Sequence, residues 1–243
     1  MPNTNICKVR CGDKEATIII QRPKFSDLKK AYEVIDDVGR SEAEEAYNRH
    51  YTETRDRIEA NLMGNIALAE KRYEVIGGQA HNEFNKNPHM YINTCALRMS
   101  YSLNQSTHPI KTMKIQNTGR SYKGKDNNTY YLGVPDIIQL LKLNWKEVSW
   151  NKSTYNQVKK NIQCGCSEDF YQGMTTKQEN INFFAEMQSI KRKGIVAMRG
   201  LNGFNHTTLW EVDEFVDVKL GTNANYLLDK DTLVRDFYFW ELL

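Results

Sequence analysis

The sequence predicts an α+β domain in which helices pack against a mostly antiparallel sheet. Two observations support this fold class: helical patterns come first along the chain, up to about residue 105, and strand patterns dominate from about residue 193 onward. No internal repeat or low-complexity segment is apparent in the sequence. A chain of 243 residues can bury a sizeable core, and we expect residues 1–243 to form a single domain.

The N-terminal elements are predicted from their breakers and caps. The stretch ATIIIQRP (16–23) has the composition of a short strand, which Pro23 stops. It is followed by FSDLKKAYEVI (25–35), a helix for which Ser26 can serve as N-cap. The highly charged stretch 41–76 has modest apolar periodicity and predicts an added helix or a helical hairpin.

The middle of the chain predicts a loop followed by two helices. The glycine- and asparagine-rich segment 77–93 is expected to be a loop that leads into NTCALRMSYSLN (93–104), an amphipathic helix. A further helix, VPDIIQLLKLNW, is predicted to start after Pro135. The segment 152–193 predicts helical ends around a turn at residues 164–173.

The C-terminal part predicts the strands of the sheet. KGIVAMRG (193–200) is apolar and bounded by glycines, and HTTLWEVDEFVDVKL (206–220) continues in strand-like alternation. FYFWELL (237–243) closes the chain as a last strand. With the helices first and the strands last, we expect a helix layer on an antiparallel sheet.

Composition excludes several classes of protein. The chain has 26% charged and 40% hydrophobic residues and contains no apolar run near the roughly 20 residues of a membrane-spanning helix, so we expect no membrane insertion. Its first residues lack a basic region followed by a long apolar stretch, which argues against Sec export. The net charge of +3 is small and evenly spread, so nucleic acid is not an expected partner.

The five cysteines fall into two close pairs and one isolated residue, Cys95. The spacings within the pairs do not match the usual zinc knuckles, and no histidine lies near either pair, so we expect no metal site. In an oxidising compartment the paired residues can instead form disulfides, whose connectivity the sequence does not decide; they are Cys7, Cys11, Cys164 and Cys166.

Cys95 is predicted to lie in the first turn of its helix, which Asn93 or Thr94 can cap. There the helix dipole and the unpaired backbone N–H groups favour a thiolate, and they can stabilise an oxyanion formed beside it. The alternative is an inert packing role, because free cysteine is among the most buried residue types.

A cysteine nucleophile needs an imidazole base, and His206 is the best placed of the five histidines. The stretch GLNGFNHTTLW puts it at the beginning of a strand, after glycines that allow a tight turn. A helix-borne cysteine facing a strand-borne histidine is the arrangement of papain-like hydrolases, including the NlpC-type cell-wall peptidases. An edge-strand histidine can also be a plain surface residue.

A family resemblance narrows the function. The segments RPKFSDLKKAY, YEVIGGQ, NTCALRMSYSLN, YYLGVPDIIQLL, KGIVAM, NHTTLW and FWELL occur in the order typical of the type VI secretion amidase effectors of family four. From about residue 22 to the end, the chain resembles these antibacterial cell-wall hydrolases. The resemblance implies that Cys95 is the nucleophile, that His206 is the base and that Asp217, eleven residues later, is the orienting acid.

The chain departs from the family pattern in three respects. Asn205 precedes the histidine where the family usually has glycine, and Asp213 and Glu211 compete with Asp217 for the role of orienting acid. We expect residues of about 39–72 to form a helical insertion relative to a shorter family core. We expect Arg98 and the aromatic residues near the C-terminus to have structural roles.

The resemblance implies cleavage of peptidoglycan stem peptides between the γ-carboxyl of D-glutamate and meso-diaminopimelate, with no metal or organic cofactor. We expect the backbone N–H of Cys95 to donate to the oxyanion, with Asn93 as a side-chain helper. Expected partners are the stem peptide, a cognate periplasmic immunity protein and the type VI secretion apparatus.

The expected route is synthesis in the cytoplasm, secretion without a signal peptide and action in the periplasm of a target bacterium. Two alternatives stay open. One is a noncatalytic interaction protein in which Cys95 is simply buried. The other is a cysteine protease or transglutaminase that uses the same dyad on protein substrates.

Overall fold

The structure is a computed structural model that describes residues 4–11, 14–115, 118–145, 148–150, 168–171, 173–189, 191–219, 222–223 and 225–242. Its helices are α1 (Phe25–Asp37), α2 (Arg40–Thr54), α3 (Arg57–Ile76), α4 (Gly78–Lys86), α5 (Pro88–Tyr91), α6 (Cys95–Gln105), α7 (Val134–Trp145) and α8 (Lys177–Ser189). Its strands are β1 (Thr4–Cys11), β2 (Lys14–Gln21), β3 (Ser121–Lys123), β4 (Thr129–Tyr131), β5 (Val148–Trp150), β6 (Glu168–Tyr171), β7 (Lys193–Gly200), β8 (Asn205–Glu211), β9 (Glu214–Phe215), β10 (Val218–Lys219), β11 (Thr222–Asn223) and β12 (Val234–Glu241).

The main sheet carries the C-terminal part of the chain. Among the described residues its strand order is β5-β6-β12-β7-β8-β9, and every neighbouring pair is antiparallel except β5 with β6. The predicted α+β fold class is thereby confirmed. The segment KGIVAMRG forms β7 over the predicted residues, and the aromatic C-terminal segment forms the central strand β12.

Alternation along β7 divides the core between the two faces of the sheet. Ile195 and Ala197 pack in a cluster with α1, α6 and α7, whereas Val196 and Met198 pack in a second cluster with α8. All four side chains are fully buried. Because neighbouring side chains of a strand point to opposite faces, one apolar run supplies both layers of the core. The face that holds α6 also holds Cys95.

The charged stretch 41–76 forms a helical hairpin of α2 and α3, as predicted. The two helices cross closely at Gly64, where a Cβ atom would lie 2.9 Å from the backbone oxygen of Ala43. The end of α3 belongs to the core, since Ala69, Tyr73 and Ile76 are buried against α4, α6 and the β3–β4 hairpin. We propose that the hairpin is part of one domain with the rest of the chain.

Three local predictions were wrong. Residues 78–91, expected to be a loop, form α4 and α5, because Ala80 and Phe84 lie one turn apart and pack into the core. Ser26 does not cap α1, which begins at Phe25 with Lys24 at the N-cap position. The strand predicted from residue 206 ends at Glu211, where the chain turns.

Some predictions are tested only in part. The helix predicted toward the end of 152–193 is α8, which confirms that part, whereas residues 151–167 lie outside the described residues. None of the described helices is long and apolar enough to cross a membrane.

Candidate active site

The thiol lies at the start of α6, as predicted. Cys95 is a buried free cysteine, 2% exposed, and is the first residue of the helix. Its backbone N–H donates to Oδ1 of Asn93 at 3.1 Å, so Asn93 is the side chain that serves the first turn. The Thr94 hydroxyl instead accepts a hydrogen bond of 2.8 Å from Nη1 of Arg72.

The imidazole faces this thiol from the sheet. His206 is the second residue of β8, 8% exposed, and α6 packs against that strand. His206 and the backbone of Thr207 lie beside the Cys95 thiol, and both lower its pKa. The structure therefore brings together the helix-borne cysteine and the strand-borne histidine that the sequence predicted.

A carboxylate completes the group. Oδ2 of Asp217 lies 2.6 Å from Nε2 of His206, within the distance expected for an orienting acid. The same oxygen accepts a hydrogen bond of 2.9 Å from the Tyr226 hydroxyl, and Oδ1 accepts one from the Thr208 hydroxyl. Asp217 is 3% exposed.

The turn after β8 explains how a residue eleven positions away reaches the histidine. Val212 has a φ of 65° and the chain reverses there, so that β9 pairs with β8 and Val216 N–H donates to the Leu209 oxygen. Continuation of this register puts Asp217 opposite Thr208, which shares a face of β8 with His206. In a straight strand, residues eleven positions apart would point to opposite faces. Because the chain turns at Val212, Asp217 and His206 can share one face.

The two competing carboxylates lie elsewhere. Asp213 is exposed in the turn, where its N–H donates to the Glu211 oxygen at 2.7 Å. The Glu211 side chain forms ion pairs with Lys29 of α1 and Lys193 of β7. Of the three carboxylates considered, the structure places Asp217 alone beside His206.

Charge outweighs burial at each member of the group. Burial lowers the pKa of His206, but the Asp217 carboxylate and the bond to Cys95 raise it to about 9. Burial raises the pKa of Cys95, but His206 and Arg98 hold it below the ordinary thiol value. Burial also opposes ionisation of Asp217, yet His206 and Arg98 keep its pKa well below the usual range. Each shift displaces its group toward the charged form, which is a thiolate, an imidazolium or a carboxylate.

A second set of polar residues surrounds the acid, and sequence reasoning missed most of it. Arg98 lies between the carboxylates of Asp217 and Asp36, and its guanidinium stacks 5.0 Å from the centre of the Tyr32 ring. The rings of Tyr226 and His206 are 4.3 Å apart. The sequence signal for Arg98 was its place three residues after Cys95, on the same face of the helix.

Asn93 connects helix α6, which carries Cys95, with strand β8, which carries His206. While its Oδ1 accepts from Cys95, its Nδ2 donates to the backbone oxygen of Asn205 at 3.2 Å. These two contacts fix the orientation of the Asn93 amide. If the amide were reversed, its NH2 group would face the Cys95 N–H and its oxygen would face the Asn205 oxygen. The predicted oxyanion donor, Cys95 N–H, is therefore engaged by Asn93 in this state.

In the described part of the chain, histidine, cysteine and carboxylate side chains form no group of three or more that could hold a metal ion. Cys164 and Cys166 lie outside the described residues, as do the side chains of Cys7 and Cys11. The predictions about their pairing stay predictions.

Comparison with known proteins gives a family match over the part of the chain that contains these residues. The family model for "Type VI secretion system (T6SS), amidase effector protein 4" matches residues 91–225, which include Cys95, His206 and Asp217. No curated protein matches the sequence.

Solved structures share the fold. The type VI effector Tae4 from Enterobacter cloacae is 16% identical, with 92% of this chain and 99% of that chain covered and a TM-score of 0.55. Tae4 in the effector–immunity complexes Tae4–Tai4 from Enterobacter cloacae and Salmonella Typhimurium is 17% identical in each case, with 92% and 100% covered and TM-scores of 0.52.

Proposed function

Because the chain belongs to the type VI secretion amidase effector 4 (Tae4) family and is thus an antibacterial peptidoglycan amidase, we propose that it cleaves one particular bond with a cysteine nucleophile. The bond is the amide between the γ-carboxyl of D-glutamate and meso-diaminopimelate in the stem peptide. The nucleophile is Cys95, the base is His206 and the orienting acid is Asp217. The observation that carries this assignment is the placement of His206 beside the Cys95 thiol, with its Nε2 at 2.6 Å from Oδ2 of Asp217.

In the first half of the proposed reaction, the Cys95 thiolate attacks the carbonyl carbon of the scissile amide. The carbon–sulfur bond forms, a tetrahedral oxyanion develops, and the carbon–nitrogen bond then breaks. His206 gives its proton to the leaving amine of diaminopimelate. Since Nε2 faces Asp217, Nδ1 is the nitrogen left for the sulfur and for this transfer.

In the second half, the neutral His206 takes a proton from water, which attacks the thioester. The carbon–sulfur bond breaks, the γ-carboxyl group of D-glutamate leaves and loses its remaining proton to solvent, and the thiolate–imidazolium pair is restored. Asp217 supports the charged imidazole and holds one tautomer when the ring is neutral. Its other two hydrogen bonds, from Thr208 and Tyr226, contribute to the position of the carboxylate.

The oxyanion is proposed to form against the backbone N–H of Cys95. In the free protein this donor bonds to Asn93, so the substrate oxygen must displace Oδ1 of Asn93. The amide nitrogen of Asn93 carries two hydrogens, of which one bonds to Asn205, and the second serves as the helper donor. One such donor typically stabilises the transition state by about 3 kcal/mol.

Incubation of the purified protein with peptidoglycan tests the proposal. Mass analysis should find disaccharide peptides that end in L-alanyl-D-glutamate and free peptides that begin with diaminopimelate. Cys95→Ser, which retains a small polar side chain at this buried position, should release neither. Release of differently cleaved peptides by the native protein would refute the bond assignment, and equal activity of the serine variant would refute the nucleophile.

The setting of the reaction is also a proposal. We infer that the type VI apparatus delivers the chain and that it acts in the periplasm of a target bacterium, where its substrate lies. The relatives in the Tae4–Tai4 complexes are held by an immunity protein. A cognate periplasmic immunity protein is the corresponding partner for this chain, and we infer that it inhibits by blocking access of the substrate to Cys95 and His206.

A further inference from the structure

Arg98 occupies a position that connects the orienting acid to a distant helix. It lies in α6 and is 6% exposed. Its Nη2 is 3.6 Å from Oδ2 of Asp217, while Nη1 pairs with Oδ1 of Asp36 near the end of α1. The guanidinium also lies over the ring of Tyr32, another residue of α1, at 5.0 Å from its centre.

Asp36 is a fixed anchor for this arginine. It is 8% exposed and also pairs with Arg72 of α3 at 3.1 Å and with Arg40 of α2. Arg72 in turn donates to Thr94, the residue before the nucleophile. Arg98 thus contacts α1 directly, and α2 and α3 hold Asp36, the residue that anchors it.

Asp217, in contrast, has little support from regular structure. It follows the short strand β9 and lies in the connection to β10. The charged and titratable groups around it are Cys95 and Arg98 from α6, Tyr32 and Asp36 from α1, His206 from β8 and Tyr226 from the loop before β12. Of these, Arg98 is the cation that a network of helices holds.

We propose that Arg98 is a positioning residue for the reaction: anchored by Asp36, it holds the Asp217 carboxylate so that Oδ2 meets the His206 ring. This inference rests on the proposed Cys-His-Asp mechanism. The fork of the guanidinium suits the task because its two terminal nitrogens meet two carboxylates at once. A lysine has a single ammonium and meets both less well.

Three roles for Arg98 give different results in a pH profile. The basic limb of the profile is the fall in rate at high pH, which His206 sets near pH 9. If Arg98 positions Asp217, then removal of Arg98 frees the carboxylate, and this fall occurs at a lower pH. If it acts only as a nearby positive charge, then its removal favours the imidazolium and the basic limb moves up. If it only stabilises the fold, neither limb moves.

The experiment compares Arg98→Met and Arg98→Lys with a matched control, Arg22→Met. Arg22 is also a buried arginine that stacks on an aromatic ring, with its guanidinium 5.2 Å from the Trp145 ring centre, but it bonds to the backbone oxygens of Trp145 and Glu241. Its loss therefore reports the general cost of removing a buried arginine.

For Arg98→Met we expect kcat for stem-peptide cleavage to fall about 100-fold with KM little changed, because a small misplacement of a catalytic group has an effect of this order. The basic limb should move down by about one pH unit. Arg98→Lys should shift both quantities less, in the same directions. Arg22→Met should lower the midpoint of thermal unfolding while it leaves kcat and both limbs of the folded protein unchanged.

The rate of Cys95 alkylation by iodoacetamide, followed against pH, gives the same information without substrate. If peptide cleavage fails in the native protein, the proposed function fails, yet this thiol profile still tests the positioning role. If Arg98→Met does not fold, the same pH profile is measured with Arg98→Lys. An unchanged or raised basic limb in the folded variant would overturn the proposal.

Discussion

At the scale of single residues, burial and charge oppose each other at all three members of the site. Burial alone would leave a neutral thiol, a neutral imidazole and a protonated carboxyl group. The pKa of each group is instead displaced toward the charged form by its neighbours: that of Cys95 by His206, that of His206 by Asp217, and that of Asp217 by His206 and Arg98. Each charge therefore depends on the next, and loss of one member affects the others.

Replacement of the acid tests this dependence. We expect Asp217→Asn to lower kcat on the order of 1,000-fold or more, because an amide cannot support the charged ring and can hold the wrong tautomer. Asp213→Asn is the matched control, since Asp213 is exposed in the turn four residues earlier, and its rate should stay within roughly twofold of the parent. Initial rates on purified stem peptide measure both. An Asp217→Asn variant as active as the parent would remove this residue from the mechanism.

The raised pKa of His206 predicts how activity depends on pH. The rate should fall as pH rises through about 9, because the imidazolium then loses the proton that the leaving amine needs. The same shift stabilises the fold; this contribution is fully present below the unfolded pKa near 6.5 and is lost as pH rises through about 9. Rates and unfolding midpoints measured between about pH 5 and 10 check both. A fall in rate centred near pH 6.5 would contradict the raised pKa of His206.

The sequence carried different amounts of information about these residues. Cys95 and His206 were predictable because each lies at the edge of a recognisable local element. Asp217 required the family spacing, since the turn at Val212 that returns it to the histidine leaves no periodic signal. Tyr226 could not be found, because its contact with Asp217 depends on the tertiary path of the loop.

At the scale of elements, strong apolar patterns gave reliable predictions and mixed polar segments did not. β7 and β12 are buried on both faces, so continuous apolar runs identified them. In α4 the polar residues outnumber the apolar ones, and only Ala80 and Phe84 enter the core. Two apolar positions one turn apart are too few to distinguish such a helix from a loop.

Because β7 pairs closely with β12, we expect that Gly194 of β7 cannot be replaced by a larger residue without loss of stability. A Cβ atom at Gly194 would lie 2.2 Å from the backbone oxygen of Trp240, so Gly194→Ala must push the two strands apart. We expect the free energy of unfolding to fall by about 3 kcal/mol.

Gly119→Ala is the control, because a Cβ atom there meets nothing within 4 Å. Denaturant titrations of both variants provide the comparison. Equal stability of Gly194→Ala and the native protein would show that the strands adjust to the added methyl group without loss.

At the scale of the whole molecule, the proposed site lies between two layers. The thiol comes from the helix layer, and the imidazole and the carboxylate come from the sheet and its edge. Contacts of α6 with α1, β4, α7 and β8 hold the layers together. The reactive geometry is thus a property of the complete packing.

The site of action gives a prediction for the whole molecule. The chain should be harmless to a bacterium that makes it in the cytoplasm, and it should lyse the same cell when a fused export signal directs it to the periplasm, because the cell wall lies there. Growth curves and microscopy measure the effect. Cys95→Ser, exported in the same way, should be harmless, and lysis by this variant would assign the toxicity to something other than cysteine catalysis.

The central place of β12 in the sheet also constrains the timing of folding. Residues 234–241 pair with β6 on one side and β7 on the other, although Cys95 and His206 precede them in the chain. When Cys95 and His206 have emerged from the ribosome but β12 has not yet been translated, the nascent chain lacks the middle strand of the sheet on which α6 packs. We therefore expect catalytic competence only after translation of residue 241, so that polysomes with unfinished chains should hold no active amidase.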